Sequence, residues 1–195
     1  GYFTTVRGVP CNRVARFDGS NWLSLGAGTN GWVQALGEAA NGDLIVGGWF
    51  STAGVAPASR VARWDGSAWS GFGSGPRTGV QCLHVLQNGD LVVGGNWVWY
   101  PGGILGGPRS EAYVDRWDGV AWQSVGPVTL MSTTPAPTVA ALAVLPNGDL
   151  VAGGSFANLS GVPANSIARW DGTAWQPMGT GLAGSVLCLA VVGGD

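Results

Sequence analysis

Few side chains in this sequence could make or break bonds. Its 195 residues include one histidine, His84, three cysteines, eleven acidic residues and nine basic residues, all of them Arg. Eight of the acids recur at fixed places in a repeated pattern: Asp18, Asp43, Asp65, Asp90, Asp118, Asp149, Asp171 and Asp195. That leaves Glu38, Glu111 and Asp115 as individual carboxylates. Glu111 and Asp115, four residues apart around the start of a strand, have the residue types for glycoside hydrolysis, which needs two carboxyl groups flanking one sugar bond. They read instead as a solvated loop pair. His84 stands in a strand where a later repeat has Ala143 and has no second His to share a metal with, so it reads as a tolerated inner-strand residue. Cys11, Cys82 and Cys188 fall where other repeats carry Ala and act as small apolar fillers. A Cys82–Cys188 bridge is disfavoured, because equivalent sites two repeats apart do not approach to disulfide distance. No catalytic residue, metal site or cofactor is expected.

Composition narrows the classes further. Apolar residues make up 46% of the chain and charged residues 10%, with a formal net charge of −2. A core is therefore affordable in one domain or domain fragment spanning 1–195, and no basic face exists to hold nucleic acid or anionic lipid. No apolar run approaches the length of a membrane-spanning helix. Glycine at 35 positions demands many turns and close backbone approaches.

The turns come from a repeat. Arg16-Phe17-Asp18-Gly19, Arg63-Trp64-Asp65-Gly66, Arg116-Trp117-Asp118-Gly119 and Arg169-Trp170-Asp171-Gly172 are one motif, each followed by a second aromatic at Trp22, Trp69, Trp122 and Trp175. Between them, Asn41 to Leu44, Asn88 to Leu91 and Asn147 to Leu150 read Asn-Gly-Asp-Leu and lead to Gly47-Gly48, Gly94-Gly95 and Gly153-Gly154. Phe17, Trp64, Trp117 and Trp170 are spaced by 47, 53 and 53 residues, which predicts a base unit of 47 with two six-residue insertions. One insertion lies between Gly95 and Tyr113, the other between Gly126 and Val139. The register begins and ends within a hairpin, so the sequence reads as a stretch of a longer array.

Asn-Gly and Asp-Gly between apolar runs predict tight hairpins with type I′ turns. Each unit then has four antiparallel strands, a to d, such as Val80 to Leu86, Leu91 to Gly94, Tyr113 to Trp117 and Ala121 to Val125. No long 3.6-residue periodicity argues for a helix. An all-β array of four-stranded units around an axis is a β-propeller, here with about four repeats that are expected to continue into a larger one. The Gly-Gly pair ending strand b, the aromatic in c and the Trp in d resemble the kelch repeat. The units are also similar to the propeller repeats of bacterial and fungal cell-surface proteins. The c–d turn is shorter than the usual kelch one.

In this topology the b–c and d–a connections share one end of every sheet, so both insertions emerge together. The first carries Trp97, Trp99 and Tyr100, and the second carries Leu130 and Met131. An apolar, aromatic patch of this kind usually marks an interface. The expected function is a non-catalytic binding or assembly module for a protein partner, at a cell surface or in an extracellular complex. One alternative is a carbohydrate-binding, lectin-like propeller that stacks sugars on the same aromatics. Another is a propeller enzyme whose site lies in further blades.

Overall fold

The computed structural model describes residues 1–99, 109–126 and 136–192, with the backbone alone described at 97–99 and 109. Among the described residues there are twenty strands and no helix. The first repeat holds β1 (Thr5–Val6), β2 (Val9–Pro10), β3 (Ala15–Phe17) and β4 (Trp22–Ser24). The second holds β5 (Trp32–Glu38), β6 (Leu44–Trp49), β7 (Thr52–Ala53), β8 (Ala56–Pro57), β9 (Val61–Trp64) and β10 (Trp69–Gly71). The third holds β11 (Val80–Val85), β12 (Leu91–Trp99), β13 (Arg109–Trp117) and β14 (Trp122–Ser124). The fourth holds β15 (Thr138–Val144), β16 (Leu150–Ser155), β17 (Asn158–Leu159), β18 (Val162–Pro163), β19 (Ile167–Trp170) and β20 (Trp175–Pro177).

Three four-stranded antiparallel sheets result, in the spatial orders β5-β6-β9-β10, β11-β12-β13-β14 and β15-β16-β19-β20. These are the a-b-c-d units expected from the repeat, and β3 pairs β4 as a c–d hairpin of the first repeat. Three short hairpins, β1-β2, β7-β8 and β17-β18, fill the b–c connections of the other repeats. In the third repeat the inserted residues lengthen the strands instead. β12 and β13 run nine residues each, beyond the expected Leu91 to Gly94 and Tyr113 to Trp117, and stay paired out to Trp99 opposite Arg109. The run opening at Val186 forms no strand, and Cys188 is exposed there rather than filling a core as expected.

The hairpin turns differ from the expected type I′ because only their glycines have positive φ. Ala39 donates to the Asp43 carbonyl across a three-residue loop in which Gly42 has φ 86°. In the c–d turn Asp18 donates to the Asn21 carbonyl and Gly19, with φ 103°, comes first, the arrangement of a type II′ turn. The Asp18 carboxylate accepts the amides of Ser20 and Asn21, and Asp65, Asp118 and Asp171 repeat this. These bonds favour the charged form, holding all four carboxyls below the ordinary range, Asp65 down to about 2. The acids of the other turn pair with strand c of the same sheet, Asp43 with Arg63, Asp90 with Arg116 and Asp149 with Arg169.

The core lies between successive sheets. Strand c and d aromatics meet as tilted cross-strand pairs, with ring centroids 5.2 Å apart for Trp64 and Trp69 and 5.6 Å for Trp170 and Trp175. Three of the four hairpin tryptophans also reach the repeat before them. Trp69, Trp122 and Trp175 donate their indole N–H, each at 2.7 Å, to the carbonyls of Leu25, Phe72 and Val125. Those acceptors stand three residues after the hairpin Trp of their own repeats. A buried carbonyl stripped of its donor costs about 1–3 kcal/mol. Trp175→Phe is therefore expected to lower the unfolding free energy in urea by about that amount; a loss below about 0.5 kcal/mol, typical of a surface change, would contradict the bond's role.

Candidate functional site

The third repeat departs most from the others. Counted back from the strand aromatic, Asp115 occupies the place of Ala15, Ala62 and Ala168, and Tyr113 that of Arg13, Arg60 and Ser166. Strand alternation puts Glu111, Tyr113 and Asp115 on one face of β13. All three are buried. This corrects the expectation of a solvated loop pair: the residues lie inside a long strand.

Arg77, from the loop entering β11, makes that burial tolerable. Its Nη2 lies 2.9 Å from Asp115 Oδ1, its Nη1 lies 3.6 Å from Glu111 Oε2, and its Nε and backbone amide both donate to Asp115 Oδ2. The guanidinium carbon also sits 5.6 Å from the centre of the Tyr113 ring. The Tyr113 hydroxyl donates to the carbonyls of Thr78 and Gly79, at 3.1 Å each, tying β13 to the start of strand a. Burial pushes the Asp115 carboxyl above its ordinary value, with Arg77 pulling the other way. It also raises the Tyr113 hydroxyl, with the Asp115 charge adding to the effect.

Two carboxylates bridged by a guanidinium in a water-poor setting hold charge in place. Burial lowers the His84 imidazole and pushes the Cys82 thiol up to about 12, a protonated, unreactive state at neutral pH. Cys11, Cys82 and Cys188 are all free thiols. Among the described residues no group of three His, Cys, Asp or Glu side chains converges to hold a metal.

Of the aromatic insertion, Trp97 and Trp99 lie on β12, where Trp97 pairs with Glu111 and Trp99 with Arg109. Tyr100, Leu130 and Met131 lie outside the described residues. Trp97 thus adjoins the ion cluster in strand register. Sequence reasoning missed the burial of this cluster, although Ala at the matching place in the other repeats was the available signal. It also missed a second aromatic group. Trp32 and Trp49 are cross-strand partners on β5 and β6, each about half exposed, and the Tyr2 ring centre lies 4.9 Å from that of Trp32.

Paired four-stranded antiparallel sheets, repeated in sequence, define the class of this chain as an all-β repeat protein. A family model described as a β-propeller domain of unknown function matches residues 145–170, from the end of strand a through strand c of the fourth repeat, and supports a propeller-type repeat. Among curated proteins no significant match is found. A crystal structure of a protein of unknown function from Dyadobacter fermentans DSM 18053 is similar at 17% identity and a TM-score of 0.45, over 84% of this chain and 57% of that one. The chain therefore spans little more than half of that protein's length.

Replacing Arg77 by Met removes the cation that the buried Asp115 carboxylate pairs with, a loss worth about 3–5 kcal/mol at neutral pH. A carboxyl raised by burial contributes stability that is full below its unfolded value of about 3.9 and is lost as pH rises through its folded value. Urea unfolding of Arg77→Met should therefore show a deficit that narrows as pH falls toward 4. A deficit independent of pH would contradict the ion cluster as described.

Proposed function

We propose that this chain is part of a kelch-like β-propeller and acts as a non-catalytic binding or assembly module for a protein partner, at a cell surface or in an extracellular complex. The observation that carries the reading is how the candidate catalytic groups are used. The four c–d turn acids hold backbone amides, Asp43, Asp90 and Asp149 hold strand c arginines, and Glu111 and Asp115 share Arg77. What varies among repeats is concentrated at the end of the sheets where strands b end and strands a begin. Variable segments on a rigid repeat scaffold are where recognition residues accumulate.

The third repeat supports contact through its insertion. It prolongs β12 and β13 beyond the length of strands b and c in the other sheets, so Trp97 and Trp99 stand on paired strands. Aromatic anchors on a rigid support dominate protein interfaces. The double variant Trp97→Ala/Trp99→Ala should keep its urea midpoint while losing association with the partner that co-purifies with the unaltered protein. Global unfolding would place these residues in the core, and unchanged association would remove them from the interface.

A further inference from the structure

We propose that the Trp32–Trp49 pair and the cleft beside it form a binding site for a neutral oligosaccharide. The site goes beyond the protein-binding reading, because it sits on the second repeat and uses none of the inserted residues.

The repeat shows that these tryptophans are not scaffold. Trp32 precedes the Val that opens strand a, a place taken by Gly79, Thr138 and Ser185 elsewhere, and Trp49 follows the Gly-Gly pair, where Asn96 and Ser155 stand. In the fourth repeat the same register pairs Thr138 with Ser155, so the sheet forms without aromatics there. Trp32 is 50% exposed and Trp49 44%, and the Tyr2 ring lies against that of Trp32. Trp49 packs onto Gly79 of the next repeat, where any side chain would displace its indole. The ring is thus fixed from beneath.

Polar groups stand beside these rings. A cleft of 340 Å³ is lined by Trp49 and Phe50 together with Asn30, Ser51, Ser59 and Arg60. Asn30 pins its wall, accepting the amides of Ser51 and Thr52 at 2.9 and 3.0 Å and donating to the Ser51 hydroxyl at 2.9 Å. The Ser51 hydroxyl keeps its own proton to donate. Arg60 donates to the Pro76 carbonyl at 3.5 Å through Nη1 and is among the residues that line the cleft.

The lining matches the two surfaces of a sugar. A pyranose offers an apolar C–H face, which suits a flat indole, and a rim of hydroxyls, which suits Ser, Asn and Arg groups. The volume falls within the range of small-ligand clefts, about 300–1,000 Å³, rather than describing a broad protein surface. Charge sets the subclass. Arg60 is the one ionisable residue of the lining and already donates to the Pro76 carbonyl, so the cleft lacks the clustered cations that a polyanionic chain needs.

The test is calorimetric titration with soluble cellohexaose, maltohexaose, laminarihexaose, xylohexaose and chitohexaose, with sialyllactose and a heparin hexasaccharide as anionic probes. The proposal expects at least one neutral hexasaccharide to bind and to shield tryptophan emission from acrylamide quenching in the unaltered protein. Trp32→Ala and Trp49→Ala should each weaken that binding about 30-fold or more, the loss typical of a hot spot. Arg60→Asn tests the polar wall if either tryptophan variant unfolds, since Asn tolerates the left-handed backbone that Arg60 adopts at φ 69°. Trp97→Ala/Trp99→Ala should bind the saccharide undiminished, whether or not it loses a protein partner. Silence across the neutral probes, binding of anionic probes alone, undiminished binding by Trp49→Ala, or loss of a protein partner in place of a saccharide each overturns the proposal.

Discussion

The arrangement of the sheets depends on a contact between a glycine and a valine of the next repeat. A Cβ on Gly47 would lie 2.6 Å from Val80 Cγ1, one on Gly94 2.6 Å from Val139 Cγ1, and one on Gly153 2.5 Å from Val186 Cγ1. None of these glycines has a positive φ, so their role is closeness rather than backbone conformation. The second glycine of each pair serves the same sheet. Gly48 and Gly154 lie against the carbonyls of Trp32 and Thr138, and Gly95 against that of Gly79, where strand a carries a bulge after its opening Val. Each Gly-Gly pair thus seats one Val from the next repeat and one bulge from its own sheet.

Fixing the sheet spacing in this way brings other groups within reach. The indoles of Trp69, Trp122 and Trp175 meet carbonyls of the preceding repeat, and Tyr113 spans from strand c to the residues entering strand a. The repeated Asp and Arg residues then hold turns and strand edges in place. Residues outside the repeat pattern, Tyr2, Trp32, Trp49, Arg77 and Glu111 among them, gather toward the end where strands b finish and strands a begin. A scaffold maintained by its repeats leaves those positions open to specialisation.

Much of this was legible in the sequence because repetition exposes position. The Arg-aromatic-Asp-Gly and Asn-Gly-Asp-Leu motifs located strands a to d in order, and the spacing located both insertions. The turn type was misread, since sequence marks where φ must be positive but not whether a second residue joins it. The Glu111–Asp115 cluster was misread for a tertiary reason: its neutralising partner, Arg77, lies 38 residues from Asp115. The three short b–c hairpins involve two-residue strands whose sequences show no alternation. Trp32 and Trp49 were visible as departures from the repeat, but their pairing required the register of β5 and β6.

Gly94→Ala tests the central contact directly. A glycine in an ordinary strand gains about 0.5–1 kcal/mol on replacement by Ala, because the unfolded chain loses freedom. Here the new methyl would lie 2.6 Å from Val139 Cγ1 and 2.8 Å from Cys82 Sγ, so urea unfolding should show a loss of about 1–3 kcal/mol, the cost of overpacking. Val139→Ala in the same chain should recover part of it, giving a coupling outside the error of additive sites. A neutral or stabilised Gly94→Ala, or strict additivity with Val139→Ala, would contradict the account.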